Sequence, residues 1–348
     1  MCNIGPEVHI LTKKQRIEAF ALLGEYLRSD SPLLQQAVDA ANRRNSWFTL
    51  PNVHNALDAI AHNLFADKLD AWLRPYAFEE DTDKTVGLVL AGNIPLVGFH
   101  DILCSLIAGF NVQVKPSTDD HVLVMHLLDK LREIDPGFAA KITLAERLKD
   151  FDLVIATGSD NSSRYFAYYF GSKPHIIRKN RNSAAVLTGR ESPEALQRLG
   201  HDVFDYFGLG CRSVSKLFVP DGYDITAFFD GIHSFADIIN HHKYANNYDY
   251  NKSIYLINGD SHYDNGFLLV KLDERIASPL AVLYLEEYRN IDALCERLDA
   301  SAPQLQCVVS TERLPIATPV VAPGQSQHPA LDDYADGVNT LDFLAEHR

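Results

Sequence analysis

The chain has 348 residues, of which 46% are hydrophobic and 22% are charged, and its formal net charge is −14. This length and apolar share suffice for a large buried core divided between two domains, and they exclude a wholly disordered chain. The acidic balance provides no electrostatic footprint for nucleic acid or for an anionic membrane surface, so no nucleic-acid partner is predicted.

Cysteine usage and hydropathy indicate the compartment. The five cysteines are widely spaced and include no CxxC pair, so neither a disulfide framework nor a structural zinc site is indicated. No apolar run approaches the ~18–20 residues that a membrane span needs. The first twenty residues lack the basic start and continuous apolar core of a signal peptide. We therefore expect a soluble, cytoplasmic protein without a membrane span.

The first half of the chain begins with helical patterns and then changes to alternating strands and helices. Residues 13–76 carry apolar side chains at mixed spacings of three and four, which predicts amphipathic helices ending at Pro75. Two later helices are predicted at 96–110 and 121–134. The predicted strands are TVGLVLAG (85–92), NVQVKPS (111–117), DLVIATGS (152–159) and one or two within HIIRKNRNSAAVLTG (175–189). This alternation indicates parallel βαβ units and an α/β fold.

The second half continues the same alternation. A helical pattern, PEALQRLGHDVFDYF (193–207), leads into a glycine-flanked cysteine, and IDALCERL (291–298) predicts a later helix. The strand candidates are KLFVP (216–220), SIYLING (253–259), FLLVKL (267–272), AVLYLEE (281–287) and QCVVST (306–311). Residues 315–329 are rich in proline and small residues, which is typical of an extended return segment.

Three short motifs follow predicted strands. AGNIP (91–95) and TGSDNSS (157–163) are glycine turns before helices, where helix-terminal N–H groups can bind phosphate, although such turns are more often structural. VKPS places Lys115 and Ser117 at a strand end, where ligands of parallel sheets gather. Both side chains could hydrogen-bond a ribose, and the alternative is an exposed lysine before a turn.

Cys211 lies in FGLGCRSVSK (207–216), among small residues and next to Arg212. Nearby positive charge lowers the pKa of a thiol and favours the nucleophilic thiolate. The other cysteines have structural interpretations at the terminus, in helical patterns or in a strand-like run: Cys2, Cys104, Cys295 and Cys307. On these residues alone, Cys211 as a nucleophile and Cys211 as a spare thiol both stay open.

The order of the motifs resembles that of the aldehyde dehydrogenase superfamily. AGNIPL, VKPS and TGS follow one another, and a glycine-flanked cysteine comes about fifty residues later, before a strand. Within the superfamily, the chain is similar to the acyl-CoA reductase family, which includes the fatty-acid reductase subunit of bacterial bioluminescence. GLGCRSVSKLFVPDGYD and HPALDDYADGVNTLDFL also resemble that family. The resemblance extends from roughly residue 80 to the end.

The resemblance implies an aldehyde dehydrogenase-like α/β fold with two Rossmann-like domains and a helical N-terminal region. We expect residues 1–186 to form the helical preface and the NAD(P)-binding domain. Residues 187–310 would form the catalytic domain with the nucleophilic cysteine, and residues 311–348 would pack back on the cofactor domain.

The resemblance also implies roles for individual residues. Cys211 matches the nucleophile, and Asn93 matches the amide that stabilises the oxyanion together with the Cys211 backbone N–H. The implied cofactor contacts are Lys115 and Ser117 at the ribose, and Gly158 and Ser159 at the pyrophosphate.

The departures from the superfamily pattern point to a particular reaction. Arg178 falls where hydrolytic relatives keep a general-base glutamate, which favours exchange of the acyl group with a thiol such as coenzyme A over hydrolysis. Thr118 occupies a position where NAD-preferring relatives often carry a glutamate that repels a 2′-phosphate. NADPH is therefore the expected cofactor and NADH the alternative, and the carboxylates of Asp119 and Asp120 act against this preference.

We therefore expect NADPH-dependent reduction of an acyl-CoA, or another acyl thioester, to a fatty aldehyde through a Cys211 acyl-enzyme, with coenzyme A as the leaving group. The alternatives are a reductase of an acyl phosphate or carrier-bound acyl group, and a non-catalytic nucleotide-binding subunit of a partner enzyme. A homo-oligomer or a partner acyl-transferring enzyme is compatible with these readings. No metal site is predicted, because the adjacent His241 and His242 lack the i, i+4 spacing of helical ligands.

Overall fold

The computed structural model describes residues 10–348. Its α-helices are α1 (Lys13–Leu27), α2 (Pro32–Arg44), α3 (Leu50–Asn63), α4 (Ala66–Leu73), α5 (Phe99–Ile107), α6 (His121–Ile134), α7 (Gly137–Lys141), α8 (Asp160–Phe170), α9 (Pro193–Phe204), α10 (Ile225–Gly231), α11 (His242–Asn258), α12 (Ile291–Ala300) and α13 (Thr340–Glu346). Its strands are β1 (Thr85–Val89), β2 (Asn111–Lys115), β3 (Ile142–Leu144), β4 (Leu153–Thr157), β5 (His175–Arg178), β6 (Asn182–Val186), β7 (Val214–Pro220), β8 (Tyr263–Asp264), β9 (Leu269–Leu272), β10 (Val282–Tyr288), β11 (Leu305–Ser310) and β12 (Val320–Val321).

The described chain divides into two compact units. The first unit runs to Lys179 and resumes over Ala330–Arg348, and the second unit comprises Asn180–Pro329. These bounds differ from the predicted 186 and 310 because β6 pairs with β7 and β11, and β12 pairs with β11, so both strands lie in the second unit. Within residues 10–348, no helix is long and apolar enough to cross a membrane.

Four helices, α1 to α4, open the first unit and confirm the predicted helical N-terminal region. Local signals start them: Thr12 and Gln15 form a capping box on α1, and Thr49 accepts the Asn52 N–H at the start of α3. Their apolar faces join the core of the first sheet, with Phe20 and Val38 fully buried. The helical region is therefore an integral part of the first unit.

The first sheet has the strand order β3-β2-β1-β4-β5, and all its strand pairs are parallel. From β1 the chain moves outward on one side through β2 and β3, and then returns to β4 and β5 on the other side. The reversal creates a topological switch point between β1 and β4, which is where open α/β sheets bind ligands, at the carboxyl ends of the strands.

The second sheet has the strand order β12-β11-β6-β7-β10-β9-β8. Its pairs are parallel except for β8 with β9. The turn that carries Cys211 lies between α9 and β7, so this cysteine lies at the amino edge of the sheet.

Residues 253–259, SIYLING, were predicted as a strand, and this prediction is wrong. The segment forms the end of α11 and its cap, which Gly259 closes with a φ of 68°. The buried residues of α11 are spaced by four, three and four, which is one face of a helix: Tyr244, Tyr248, Asn251 and Tyr255. The aromatic and β-branched residues of this segment imitate a strand locally, but burial along the whole helix decides its conformation.

Arg178, the last residue of β5, forms a buried polar cluster in the first unit. Its guanidinium donates to the Asp101 carboxylate on α5 (2.5 Å) and to the Thr340 hydroxyl on α13 (3.1 Å). Burial acts to lower the pKa of Arg178, but the Asp101 carboxylate outweighs it, so this pKa lies above its ordinary value. The ion pair thus joins the sheet to α5, and the hydrogen bond to Thr340 joins it to the returning C-terminal helix α13.

We expect Arg178→Met to lower the free energy of unfolding of the first unit by about 3–5 kcal/mol, because Asp101 would keep a buried charge without its cation. Both tryptophans of the chain, Trp47 and Trp72, lie in the first unit, so their fluorescence during urea unfolding reports on it. The double variant Asp101→Leu with Arg178→Met should recover much of the loss. A loss below about 1 kcal/mol in the single variant would contradict this role.

Candidate functional site

Predicted cofactor residues and the predicted oxyanion residue Asn93 lie at one edge of the first sheet. Lys115 ends β2 and is exposed, Asn93 is exposed in the turn after β1, and Gly158 follows β4. Because β1 pairs in parallel with both β2 and β4, the three turns emerge side by side at the carboxyl edge. The structure therefore brings these residues together at the switch point of the first sheet, where open α/β sheets bind ligands.

The turns after β1 and β2 are in close contact. The Leu90 N–H donates to the Lys115 carbonyl (3.1 Å), which extends the strand pairing beyond β1. A Cβ added to Gly92 would lie 2.4 Å from the Ser117 Cβ and 2.5 Å from its Oγ. Only glycine leaves room for Ser117 at this position.

Asp120, which follows the turn after β2, also contacts the turn after β1. Its carboxylate accepts the backbone N–H of Leu96 (2.7 Å), and both residues are buried. Leu96 has a φ of 56°, an uncommon conformation for a non-glycine residue, at a cost of about 1–3 kcal/mol. Burial raises the pKa of Asp120 well above its usual range. Sequence reasoning treated Asp119 and Asp120 alike, but only the Asp119 side chain is exposed.

The turn after β4 is shaped for close packing against α8. A Cβ at Gly158 would lie 2.9 Å from both Phe166 Cε2 and Ser162 Cβ, so this position also requires glycine. The Ser159 hydroxyl caps α8 by accepting the Ser162 N–H (3.2 Å). The N-terminal N–H groups of α8 therefore begin at the predicted pyrophosphate turn, where they favour a phosphate.

The backbone that leads into Cys211 is strained. Tyr206, Phe207 and Gly208 are three consecutive residues with positive φ angles of 54°, 60° and 78°. Two bulky residues in this region cost about 1–3 kcal/mol each, and such outliers cluster at functional sites. Both aromatic side chains are buried, and the Phe207 ring lies 4.3 Å from the His241 ring, centroid to centroid.

Hydrogen bonds hold the Cys211 turn on both sides. The Ser183 hydroxyl, on β6, donates to the Cys211 carbonyl (3.1 Å) and accepts the backbone N–H of Cys307 (3.3 Å). The Ser213 hydroxyl accepts the Gly210 N–H (3.2 Å) and a side-chain N–H of Gln327 (3.2 Å). Sequence reasoning missed Ser183 and Gln327, because their partners are separated from them by long stretches of chain and no local pattern marks them.

The cysteines differ in exposure in a way that favours Cys211 as the reactive thiol. Cys211 is half-buried, whereas Cys104, Cys295 and Cys307 are buried. Burial raises the pKa of Cys104 well above its usual range and also raises that of Cys295, which disfavours their thiolates. Cys2 lies outside the described residues.

Three further predictions concern Arg178, a metal site and the pairing of Asn93 with Cys211. Arg178, which the resemblance sets where hydrolytic relatives keep a glutamate, is buried in its ion pair with Asp101. Within residues 10–348, no group of three or more His, Cys, Asp or Glu side chains could hold a metal ion. Asn93 belongs to the first unit and Cys211 to the second, and their joint role at an oxyanion stays a prediction.

Comparisons with known proteins found a matching family model and solved structures of the same fold. Residues 53–234, more than half of the chain, match the family model described as acyl-CoA reductase (LuxC). A search of curated proteins returned no match.

Solved structures of aldehyde dehydrogenases share the fold at low sequence identity. Aldehyde dehydrogenase 21 from Physcomitrella patens, in complex with the reaction product succinate, is 12% identical with a TM-score of 0.68, over 97% of this chain and 84% of that chain. The P. syringae indole-3-acetaldehyde dehydrogenase AldA, in complex with NAD+ and IAA, is 11% identical with a TM-score of 0.65, over 86% and 72%. An NAD-dependent aldehyde dehydrogenase from Sinorhizobium meliloti is 12% identical with a TM-score of 0.64, over 89% and 74%. The predicted aldehyde dehydrogenase-like fold is thus confirmed.

We expect Ser183→Ala to slow the reaction of Cys211 with iodoacetamide and to destabilise the second unit by about 1–3 kcal/mol, because two buried backbone groups lose their partner. Mass spectrometry of the alkylated peptide and calorimetry measure the two effects. Ser105→Ala is a matched control, since it removes a buried serine hydrogen bond in the first unit. Equal alkylation of Cys211 in all three proteins would contradict the positioning role of Ser183.

We expect Gly92→Ala to displace Ser117, with a stability loss of about 1–3 kcal/mol and weaker nucleotide binding, because the new methyl group overlaps the Ser117 Cβ. Tryptophan fluorescence during urea unfolding and NADPH titration provide the two measurements. Ser117→Gly added to Gly92→Ala should restore stability beyond the sum of the single effects. Strict additivity of the two substitutions would show that the two turns do not contact each other.

Proposed function

We propose that this chain, which belongs to the acyl-CoA reductase (LuxC) family, reduces an acyl-CoA or another acyl thioester to a fatty aldehyde with NADPH. The family and the aldehyde dehydrogenase fold make the protein an oxidoreductase of acyl or aldehyde groups. The observation that carries the finer proposal is the Cys211 turn, which presents a half-exposed thiol on a strained, hydrogen-bonded backbone.

Cys211 performs the acyl transfer in this proposal. Its thiolate attacks the thioester carbonyl carbon, a new carbon–sulfur bond forms, and the bond to the coenzyme A sulfur breaks with release of the thiol. The Asn93 amide and the Cys211 backbone N–H would stabilise the developing oxyanion. Removal of one donor of this kind typically slows a reaction by about 10²–10³.

The residues at the carboxyl edge of the first sheet fit a dinucleotide cofactor. Lys115 is exposed and Ser117 is held beside Gly92, and both side chains are of a type that binds ribose hydroxyls. NADPH, when bound, supplies the hydride that reduces the acyl group. The Cys211 sulfur then leaves the resulting thiohemiacetal as the aldehyde forms, which regenerates the thiol.

The environment of Arg178 supports reduction over hydrolysis. A general base must reach the water that it deprotonates, and Arg178 instead carries a positive charge that is buried against Asp101. With this residue in place of the glutamate of hydrolytic relatives, we expect the acyl-enzyme to persist long enough for reduction.

The test is NADPH oxidation with a panel of acyl-CoA chain lengths, for wild type and Cys211→Ala. We expect acyl-dependent oxidation in wild type, its loss in the variant, and a Cys211 thioester visible by mass spectrometry when NADPH is omitted. Cys295→Ala, which removes a buried thiol of the second unit, should retain both the acyl-dependent NADPH oxidation and the Cys211 thioester.

Three outcomes would contradict the proposal. Rapid release of free acid would assign hydrolysis. Activity only with an acyl phosphate would assign that substrate instead. Nucleotide binding without any Cys211-dependent turnover would indicate a non-catalytic nucleotide-binding subunit.

A further inference from the structure

Arg44 connects the helical N-terminal region to the predicted cofactor loop. It is the last residue of α2, and its Nε donates to the backbone carbonyl of Thr118 (3.2 Å), across 74 residues of chain. α2 packs against α6, which begins just after Thr118, so this contact follows from the packing of the first unit. One donor of the guanidinium orients the side chain, and the terminal Nη groups stay available to a ligand.

The charges around Thr118 suit an anion. Within residues 10–348, neither Arg44 nor Lys115 forms an ion pair with a carboxylate, and both are exposed. Two cations with uncommitted donors at one loop are notable in a chain of net charge −14. Such a pair can concentrate a phosphate locally, against the overall field of the protein.

The acidic residues of the loop do not cancel this charge. Asp120 is buried and accepts the Leu96 N–H, so it does not face the surface of the loop. Asp119 is exposed, and its backbone N–H donates to the Ser117 hydroxyl (3.3 Å). One exposed carboxylate therefore opposes two cations, and Thr118 adds a hydroxyl in place of a third acid.

We propose that Arg44 binds the 2′-phosphate of NADPH and makes the enzyme prefer NADPH over NADH. This inference rests on the proposed function, in which Lys115 and Ser117 bind ribose hydroxyls, and it takes that ribose to be the adenosine ribose. A 2′-phosphate on that ribose would be within the Thr118 loop's neighbourhood, where the planar guanidinium would donate two parallel hydrogen bonds to phosphate oxygens. Lys115 adds a point charge, and the helical N-terminal region thereby supplies the selectivity.

Arg44 also has a purely structural role, which is to stabilise the end of α2. Basic residues in the last turn of a helix stabilise it through the helix dipole, and Arg43 and Arg44 both lie there. Arg43 is exposed, carries the same charge, and does not contact Thr118. It is therefore a matched control for loss of charge and of helix stability.

The experiment is calorimetric titration of the full chain with 2′,5′-ADP and with 5′-AMP, followed by NADPH and NADH. We expect Arg44→Gln to weaken 2′,5′-ADP and NADPH about tenfold or more, which is about 1.4 kcal/mol, because charged hydrogen bonds are lost. Binding of 5′-AMP and NADH should change less than about twofold. Arg43→Gln should alter none of the four, and Arg44→Lys should show an intermediate loss.

Ionic strength and an added negative charge provide two further tests. Raising the ionic strength should weaken 2′,5′-ADP binding more in wild type than in Arg44→Gln, since screening acts on the ion pair. Thr118→Glu should weaken NADPH while sparing NADH. Equal loss of both cofactors in Arg44→Gln, no loss at all, or no binding of 2′,5′-ADP and NADPH by wild type would overturn the inference.

Different results would contradict the proposed reaction and the proposed role of Arg44. If acyl-CoA reduction is absent but Arg44→Gln selectively loses 2′,5′-ADP, the assigned reaction is wrong and the phosphate site stands. If Cys211-dependent reduction proceeds and Arg44→Gln affects both cofactors alike, the reaction stands and the role of Arg44 is wrong.

Discussion

The parallel pairing of β1 with β2 on one side and β4 on the other is the constraint on which the chemistry of the first unit depends. It brings the turns after these strands to one edge, although they are separated along the chain by helices. The turns after β1 and β2 also approach closely, because a Cβ at Gly92 would overlap the Ser117 side chain. The Asp120 carboxylate then holds Leu96 in its strained conformation, so the turn with Asn93 and the turn with Ser117 share one support.

The turn after β1 and the turn before β7 each pair an uncommon backbone conformation with a buried hydrogen-bond partner. Leu96 is held by Asp120 in the first unit, and the Cys211 turn is held by Ser183 and Gln327 in the second. A buried polar group without a partner costs about 1–3 kcal/mol, similar to the cost of the strained residues themselves. We therefore expect loss of these bonds to displace the turns that carry Asn93 and Cys211 before it abolishes the fold.

Much of the fold could be predicted from local signals. The helix predicted at 121–134 coincides with α6, because its apolar spacing is regular and Asp135-Pro136 ends it. The glycine-flanked Cys211 was identified because its neighbours differ from those of a buried thiol. The strand prediction for SIYLING (253–259) was wrong because a short window rich in aromatic and β-branched residues cannot show that Tyr244 and Tyr255 share one helical face. The domain bounds differed because β6 is assigned by its pairing partners, which no local pattern reveals.

The sequence by itself determined the alternation of strands and helices, the glycine turns at their ends, the small-residue surroundings of Cys211 and the absence of a glutamate at position 178. These features depend on spacing, steric freedom and residue chemistry over a few neighbouring positions. Only the tertiary structure distinguished buried Asp120 from exposed Asp119, placed Ser183 on the Cys211 carbonyl, and brought Arg44 to Thr118. Contacts across many residues depend on how whole helices and sheets pack, and that packing is a property of the folded chain.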